Sequence, residues 1–412
     1  MAQNISEIAT ASRLEEYFGR IDQHLRDSRR RESFAIYACG ILSDGERKSA
    51  EPIAARACAD ADEVHNLHNK LLHFLGRSVW DDRAVRLEAA RYAIDELQKR
   101  ERITTWIVDD TGFLKQGSQS VGVQRQYTGS AGKITNCQIG VSLAIATGTE
   151  HLPLDFELYL PMKWAEDDAR RQLARIPDEV RFKTKIRLAL DMIERAALGN
   201  VPGEIILADA GYGEASEFRN TVRLLGFDFA VGVQSTLRVV RLDARDSVNA
   251  KPETAAELVA RLGAKSFRKL TWREGTNAKL SSRFCFVRVK VAENDGLTVA
   301  EHEPLWLVAE WLDGDKAPSK FMLTTLGRRM SKKQIVRLCK ERWRTERMYE
   351  DLKGELGLDH FEGRSFPGWH HHVSVVLCCY AFVVAERLRS FPPAYLGHRD
   401  QLSRASGSRS RS

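Results

Sequence analysis

The stretch RWRTERMYEDLKGELGLDHFEGRSF, from Arg342 to Phe366, sets an acid among cations at a spacing suited to a charged ligand. In a helix, Arg342, Glu346, Tyr349 and Lys353 follow at intervals of four, three and four, so all four project from one face. A carboxylate then lies between two cations. Such a stripe does not suit an apolar core, where charges lose their hydration, so it meets either solvent or a charged partner. The plainer reading is a wet face laced by ion pairs, each worth about 0.2–0.5 kcal/mol.

Other acids stand where strands end. ITTWIVDD, from Ile103, is an apolar run dense in β-branched residues that stops on Asp109 and Asp110, as a central strand does when it delivers carboxylates to the edge of a sheet. EIILADAGYG repeats the pattern: strand, then Asp209, then a turn. Alternation sends only one of Asp109 and Asp110 to a given face, and a turn cap is the plainer reading of Asp110.

The spacing Arg, three residues, Glu, six residues, Lys resembles the signature of the DDE transposases of bacterial insertion sequences. Where that group has Tyr three positions before the Arg, this chain has Cys339. KGELGLDHFEGRSFPGWHHH is similar to the type 701 branch, itself related to the type 4 group. VDDTGFLKQGSQSVGVQRQYTG from Val108 and LADAGYG from Leu207 resemble the same branch in the same order, so the likeness spans about Val108 to Trp369.

The resemblance implies a metal-dependent DNA strand cleavage and strand transfer at the terminal inverted repeats of an element. Its catalytic and metal-binding acids would be Asp109, Asp209 and Glu346, with Asp110 the alternative first acid; Asp109 is preferred because related enzymes show an acid, one residue, then Thr or Ser, as in Asp109, Asp110, Thr111. Three such acids can hold two Mg2+ ions roughly 4 Å apart, with Mn2+ able to substitute, one ion activating a water or 3′ hydroxyl and the other stabilising the leaving oxygen. Arg342 and Lys353 would hold phosphates, one as a fork and one as a point charge, with Tyr349 on the backbone or in the core. Lys115, Arg125 and Lys133 are further DNA contacts. Trp272, in KLTWREGTN, would stack on an unpaired base or, as the favoured alternative, pack as a cross-strand aromatic. The partners would be double-stranded DNA, ends and target, and at least a second copy of the chain in the DNA complex. A catalytically silent, transposase-derived DNA-binding regulator is the competing reading. A phosphatase of the haloacid dehalogenase type, suggested by DDTG, is excluded because its two acids are separated by one residue.

The elements that must position these residues divide the chain. Residues 1–100 read as helical, with Phe34, Tyr37, Ala38, Ile41 and Leu42, then Leu67, Leu71, Leu72 and Leu75, at helical intervals, and a basic cluster at Arg26, Arg29, Arg30 and Arg31. This all-α N-terminal domain would bind DNA or cap the core. Residues 101–236 read as three strands, a helix over 165–198, a strand, a helix and a strand, which by pattern is α/β and by resemblance a ribonuclease H-like core. Residues 237–326 alternate as strands and form a β-rich insertion. Residues 327–390 return to the core, with Ser331 capping the helix that carries Glu346 and an apolar helix after Trp369. Residues 391–412 are a basic tail expected to be disordered.

Charge and cysteines set the rest. The chain of 412 residues carries a net charge of +7 and a pI near 9.0, compatible with a polyanionic partner. From Arg328 to Arg347 nine Lys or Arg face two acids, Glu341 and Glu346. Seven cysteines show no CxxC pair or metal spacing and read as reduced core residues. The consecutive His370, His371 and His372 would splay by about 100° each on a helix and cannot share an ion. No signal segment or run of eighteen apolar residues is present, so the expected location is cytoplasmic, at the nucleoid, with no membrane partner.

Overall fold

A computed structural model describes residues 2–242, 251–274, 279–292, 304–327 and 330–390. Arg328, Arg329 and the tail 391–412 lie outside the described residues. Five helices open the chain: α1 (Ala2–Leu25), α2 (Ser28–Leu42), α3 (Ala50–Ala57), α4 (Ala61–Gly76) and α5 (Asp82–Gln98). Strands β1 (Thr105–Leu114), β2 (Gln124–Thr128), β3 (Lys133–Ala146) and β4 (His151–Tyr159) follow, then α6 (Met162–Ala165), α7 (Asp168–Ala174) and α8 (Lys185–Leu198). Next come β5 (Ile205–Ala208), α9 (Ala210–Gly213), α10 (Ser216–Leu224), β6 (Asp228–Val233), β7 (Arg238–Arg241), β8 (Glu253–Thr254) and α11 (Ala255–Leu262). The described chain continues through β9 (Arg268–Glu274), β10 (Lys279–Val291), β11 (Leu305–Trp311), β12 (Lys320–Thr324), α12 (Lys332–Lys340), α13 (Trp343–Gly354) and α14 (Phe366–Ser390). The class is mixed α/β.

Two compact units divide these elements, one formed by residues 1–103, 109–202 and 344–412, the other by 104–108 and 203–343. In the first unit α14 is the hub. It is buried along most of its length, from Trp369 through His371, Val375 and Tyr380 to Leu388, and α5, α4, α2 and β4 pack around it. The N-terminal helices are thus part of this unit rather than a unit by themselves. Each histidine of the HHH run finds its own backbone partner: His370 Nδ1 donates to Phe366 O at 3.0 Å, His371 Nδ1 to Leu75 O at 2.7 Å and His372 Nε2 to Gly357 O at 3.1 Å. The other nitrogen of His372 accepts from the Tyr37 hydroxyl at 2.9 Å. Burial holds His371 and His372 down to about 4, so both are neutral.

Strand β4 was not expected, and the helix expected over 165–198 is two helices. HLPLDFELY carries Asp155 and Glu157 at buried positions, which obscures its strand character in the sequence. Their charge is met by arginines: Arg86 Nε stands 3.0 Å from Asp155, and Arg195 Nη2 stands 2.6 Å from Asp155 and 2.7 Å from Glu157. Burial alone would raise the Glu157 carboxyl, but a hydrogen bond with His370 and the charges of His370, Arg195 and Arg83 hold it well below the usual range. The helix breaks because Pro177, in IPDE, removes an N–H and disfavours helical backbone before it.

In the second unit β1 and β5 are parallel, as are β5 and β6. From β6 the sheet runs on through antiparallel β12, β11, β10, β7 and β8, with β9 also on β10. The strands read as an insertion therefore extend the same sheet from β6 rather than forming a unit of their own. Helix α11, with a Thr254 to Glu257 capping box, stands among them and was not foreseen.

Candidate active site

Asp209 directly follows strand β5, whereas Asp109 and Asp110 lie in the middle of β1, which runs on to Leu114 rather than stopping on them as expected, and Glu346 is in the first turn of α13. Strand β1 is buried through Val108, and Asp109 and Asp110 are half-buried. Their side chains go opposite ways, as alternation requires. Asp110 accepts from Lys185 Nζ, the first residue of α8, at 3.1 Å. Thr111, on the side of Asp109, is met by Lys353 Nζ of α13 at 2.8 Å. Helix α13 thus lies along the Asp109 side of β1. A second contact repeats the placement one turn earlier in the helix: the Tyr349 hydroxyl stands 2.6 Å from Ser142 Oγ of β3, whose hydroxyl donates to Asp109 O at 3.5 Å.

The helix is oriented by its apolar stripe. Arg344, Thr345, Met348 and Leu352 are buried, which leaves Glu346 and Glu350 exposed and Tyr349 and Lys353 half-buried at the margin. Glu346, Tyr349 and Lys353 therefore share a face, as expected. Arg342 does not join them. The expected single helix from Ser331 is two: α12 has the predicted Ser331 cap, completed as a box with Gln334, and ends at Lys340. Arg342 sits in the turn before α13, with Nη2 3.9 Å from Asp209 Oδ2.

Asp209 is the first residue after the fully buried β5, and its Oδ1 accepts Gly211 N–H at 2.8 Å, capping the short helix α9. Gly213 of ADAGYG is needed where this turn meets β6: a Cβ on it would come within 2.1 Å of Gly232 O. The last pair of the β1–β5 register is Ile107 with Leu207.

The remaining candidates separate by environment. Lys353 Nζ also donates to Gly112 O at 2.8 Å, and burial lowers its pKa, so it ties helix to strand. Lys115 is likewise lowered by burial and donates to Phe361 O at 2.7 Å. Arg125 and Lys133 are exposed. Trp272 packs with Phe284, Val308 and Val336, its ring edge-on to Phe284 and 4.8 Å from Lys340 Nζ, which is the packing alternative named for it. Sequence reasoning missed Ser142, Lys185 and Ser130, whose places depend on tertiary contacts across many residues. Of the cysteines, Cys137, Cys285, Cys378 and Cys379 are buried, whereas Cys39 is exposed, against expectation.

Three carboxylates, without thiol or imidazole, match in kind the oxygen donors a hard divalent cation takes. Among the described residues, no three His, Cys, Asp or Glu side chains are gathered as a ready metal site. No described helix is long and apolar enough to cross a membrane.

The profile of the DDE superfamily endonucleases matches residues 20–279, well over half of the chain, and includes Asp109 and Asp209. The chain is also similar to a probable transposase for insertion sequence element IS701 of Microchaete diplosiphon, with 29% identity over 210 residues. That match covers 51% of this chain and 50% of the curated relative, so it spans about half the length of each. On the extent of the profile match, the chain belongs to the DDE superfamily endonucleases.

Proposed function

We propose that this protein is the transposase of an insertion sequence of the 701 type, which binds the terminal inverted repeats of its element and cuts and joins DNA strands. The observation that carries this reading is the shared side of β1 and α13: Asp109 stands beside Thr111, which Lys353 meets, and Glu346 projects from the same helix face. Asp209, the residue after β5, is the further acid of this reading. The core that carries these acids is, in this reading, ribonuclease H-like.

Asp109, Asp209 and Glu346 would hold the divalent cations, and when bound these supply a Lewis acid for phosphodiester cleavage. The protein's own groups do the rest. Arg342, beside Asp209, presents its fork to a phosphate. Lys353 ties α13 to β1 through Thr111 and Gly112 and adds a positive charge there. Tyr349 holds the middle of the same helix through Ser142. Two DNA ends require at least two copies of the chain in the reacting complex.

The test is cleavage of duplexes carrying the element's own ends, with Mg2+ and with excess chelator. Cutting at the element boundary with Mg2+, abolished by chelator, is expected. Binding without cutting under any divalent ion would instead favour a silent DNA-binding regulator.

A further inference from the structure

The ribbon formed by β2 and β3 has a feature that the proposed chemistry does not use. Tyr127 and Ile134 are directly opposed in the antiparallel register, so their side chains share one face. They are 63% and 60% exposed. Arg125, opposite Asn136 and two residues from Tyr127, is on the same face and exposed. The surrounding sequence is free of acids: from Thr111 to Thr149 there is no Asp or Glu, while Lys115, Arg125 and Lys133 are present. An aromatic and a β-branched residue left in water on a cationic ribbon suit a polyanion with flat apolar faces between its charges.

The ribbon is anchored beside the candidate acids. Ser130, in its turn, has Oγ 3.1 Å from Thr111 Oγ1 and accepts Gly112 N–H at 3.2 Å. Lys353 Nζ is 3.5 Å from the same hydroxyl. Thr128 closes against the strand so tightly that a Cβ on Gly112 would lie 2.1 Å from its Oγ1. The end of the ribbon is therefore fixed to the residues that follow Asp109, and to the helix of Glu346, within one compact unit.

We propose that this ribbon is a DNA-opening element, in which Tyr127 and Ile134 press between base pairs next to the reacting phosphate while Arg125 holds the flanking backbone. Apolar side chains inserted at a base step unstack it, and an aromatic ring stabilises the exposed base by stacking, whatever its sequence. The inference rests on the proposed transposase reading and assigns to that site the state of its DNA: a duplex end locally unpaired.

Cleavage by the full chain would be compared on two duplexes that carry the element's end, one fully paired and one with unpaired bases at the cut site. Tyr127→Ala should slow cutting of the paired end about tenfold or more, through loss of one stacking contact. It should cut the unpaired end within about threefold of the wild-type rate, since the opening is already done. Tyr127→Trp should cut both ends normally. Tyr127 is exposed, so the unfolding midpoint should not move. A Tyr127→Ala chain that cuts the paired end at the wild-type rate, or is equally slow on both ends, overturns the opening role and leaves the transposase reading intact. A wild-type chain that cuts neither end overturns the reading itself, and the proposal with it.

Discussion

At the scale of single residues, the two adjacent carboxylates Asp109 and Asp110 differ in what faces each. Asp110 is taken by Lys185, and Asp109 stands on the side where α13 crosses. The preference for Asp109 rests on the acid, residue, Thr pattern, whereas the partner of Asp110 lies 75 residues downstream and leaves no local trace. Asp109→Asn should reduce cleavage of the element's ends by several orders of magnitude, because the amide keeps the shape and removes the charge. Asp110→Asn should retain activity within about tenfold, since it loses a half-exposed ion pair worth at most about 1 kcal/mol. Rates for the two purified variants on one substrate check this, and equal losses would contradict the assignment. Lys353 has the expected face, and its ammonium donates to Thr111 and Gly112 O, contacts that no spacing rule reveals.

At the scale of elements, the sequence was most legible where apolar periodicity and caps agreed. The buried face of α14, the strands β10, β11 and β12, and the Ser331 cap were all expected. The break between α12 and α13 was not, because KERWRT contains neither Gly nor Pro. It falls where the apolar stripes change allegiance: Ile335 and Val336 are buried in one compact unit, and Met348 and Leu352 in the other. Strand β4 was hidden for the converse reason, since its buried acids look like surface residues until their arginines are known. Arg86 is central to that cluster, donating to Asp82 at 2.5 Å and to Ser374 of α14 at 2.7 Å. Arg86→Ala should destabilise the chain by about 3–5 kcal/mol, because it leaves buried carboxylates without their charge partner. Urea unfolding of the variant at pH 7 measures this, and a loss below about 1 kcal/mol would mean that Arg195 and Arg83 suffice.

At the scale of the whole molecule, the division read from composition differs from the one made by packing. The texture of the sequence changes at Ile103, the helices before it are packed with α14 and β4, and the strands of 237–326 continue the sheet from β6. Composition registers secondary structure; it does not register which faces are buried against each other. The elements that carry the candidate acids were legible, although β1 continues past Asp109 to Leu114. The measurement that bears most directly on the proposed chemistry is cleavage of the element's ends by Glu346→Gln beside the wild-type chain, with end binding and unfolding followed on the same samples. The substitution preserves size and hydrogen-bonding reach and removes one negative charge from an exposed helix position. Folding should be unchanged, binding should stay near wild type or tighten, and cutting in Mg2+ should be lost. A Glu346→Gln chain that is folded, binds the ends and cuts them at the wild-type rate would contradict a catalytic role for the acid on α13.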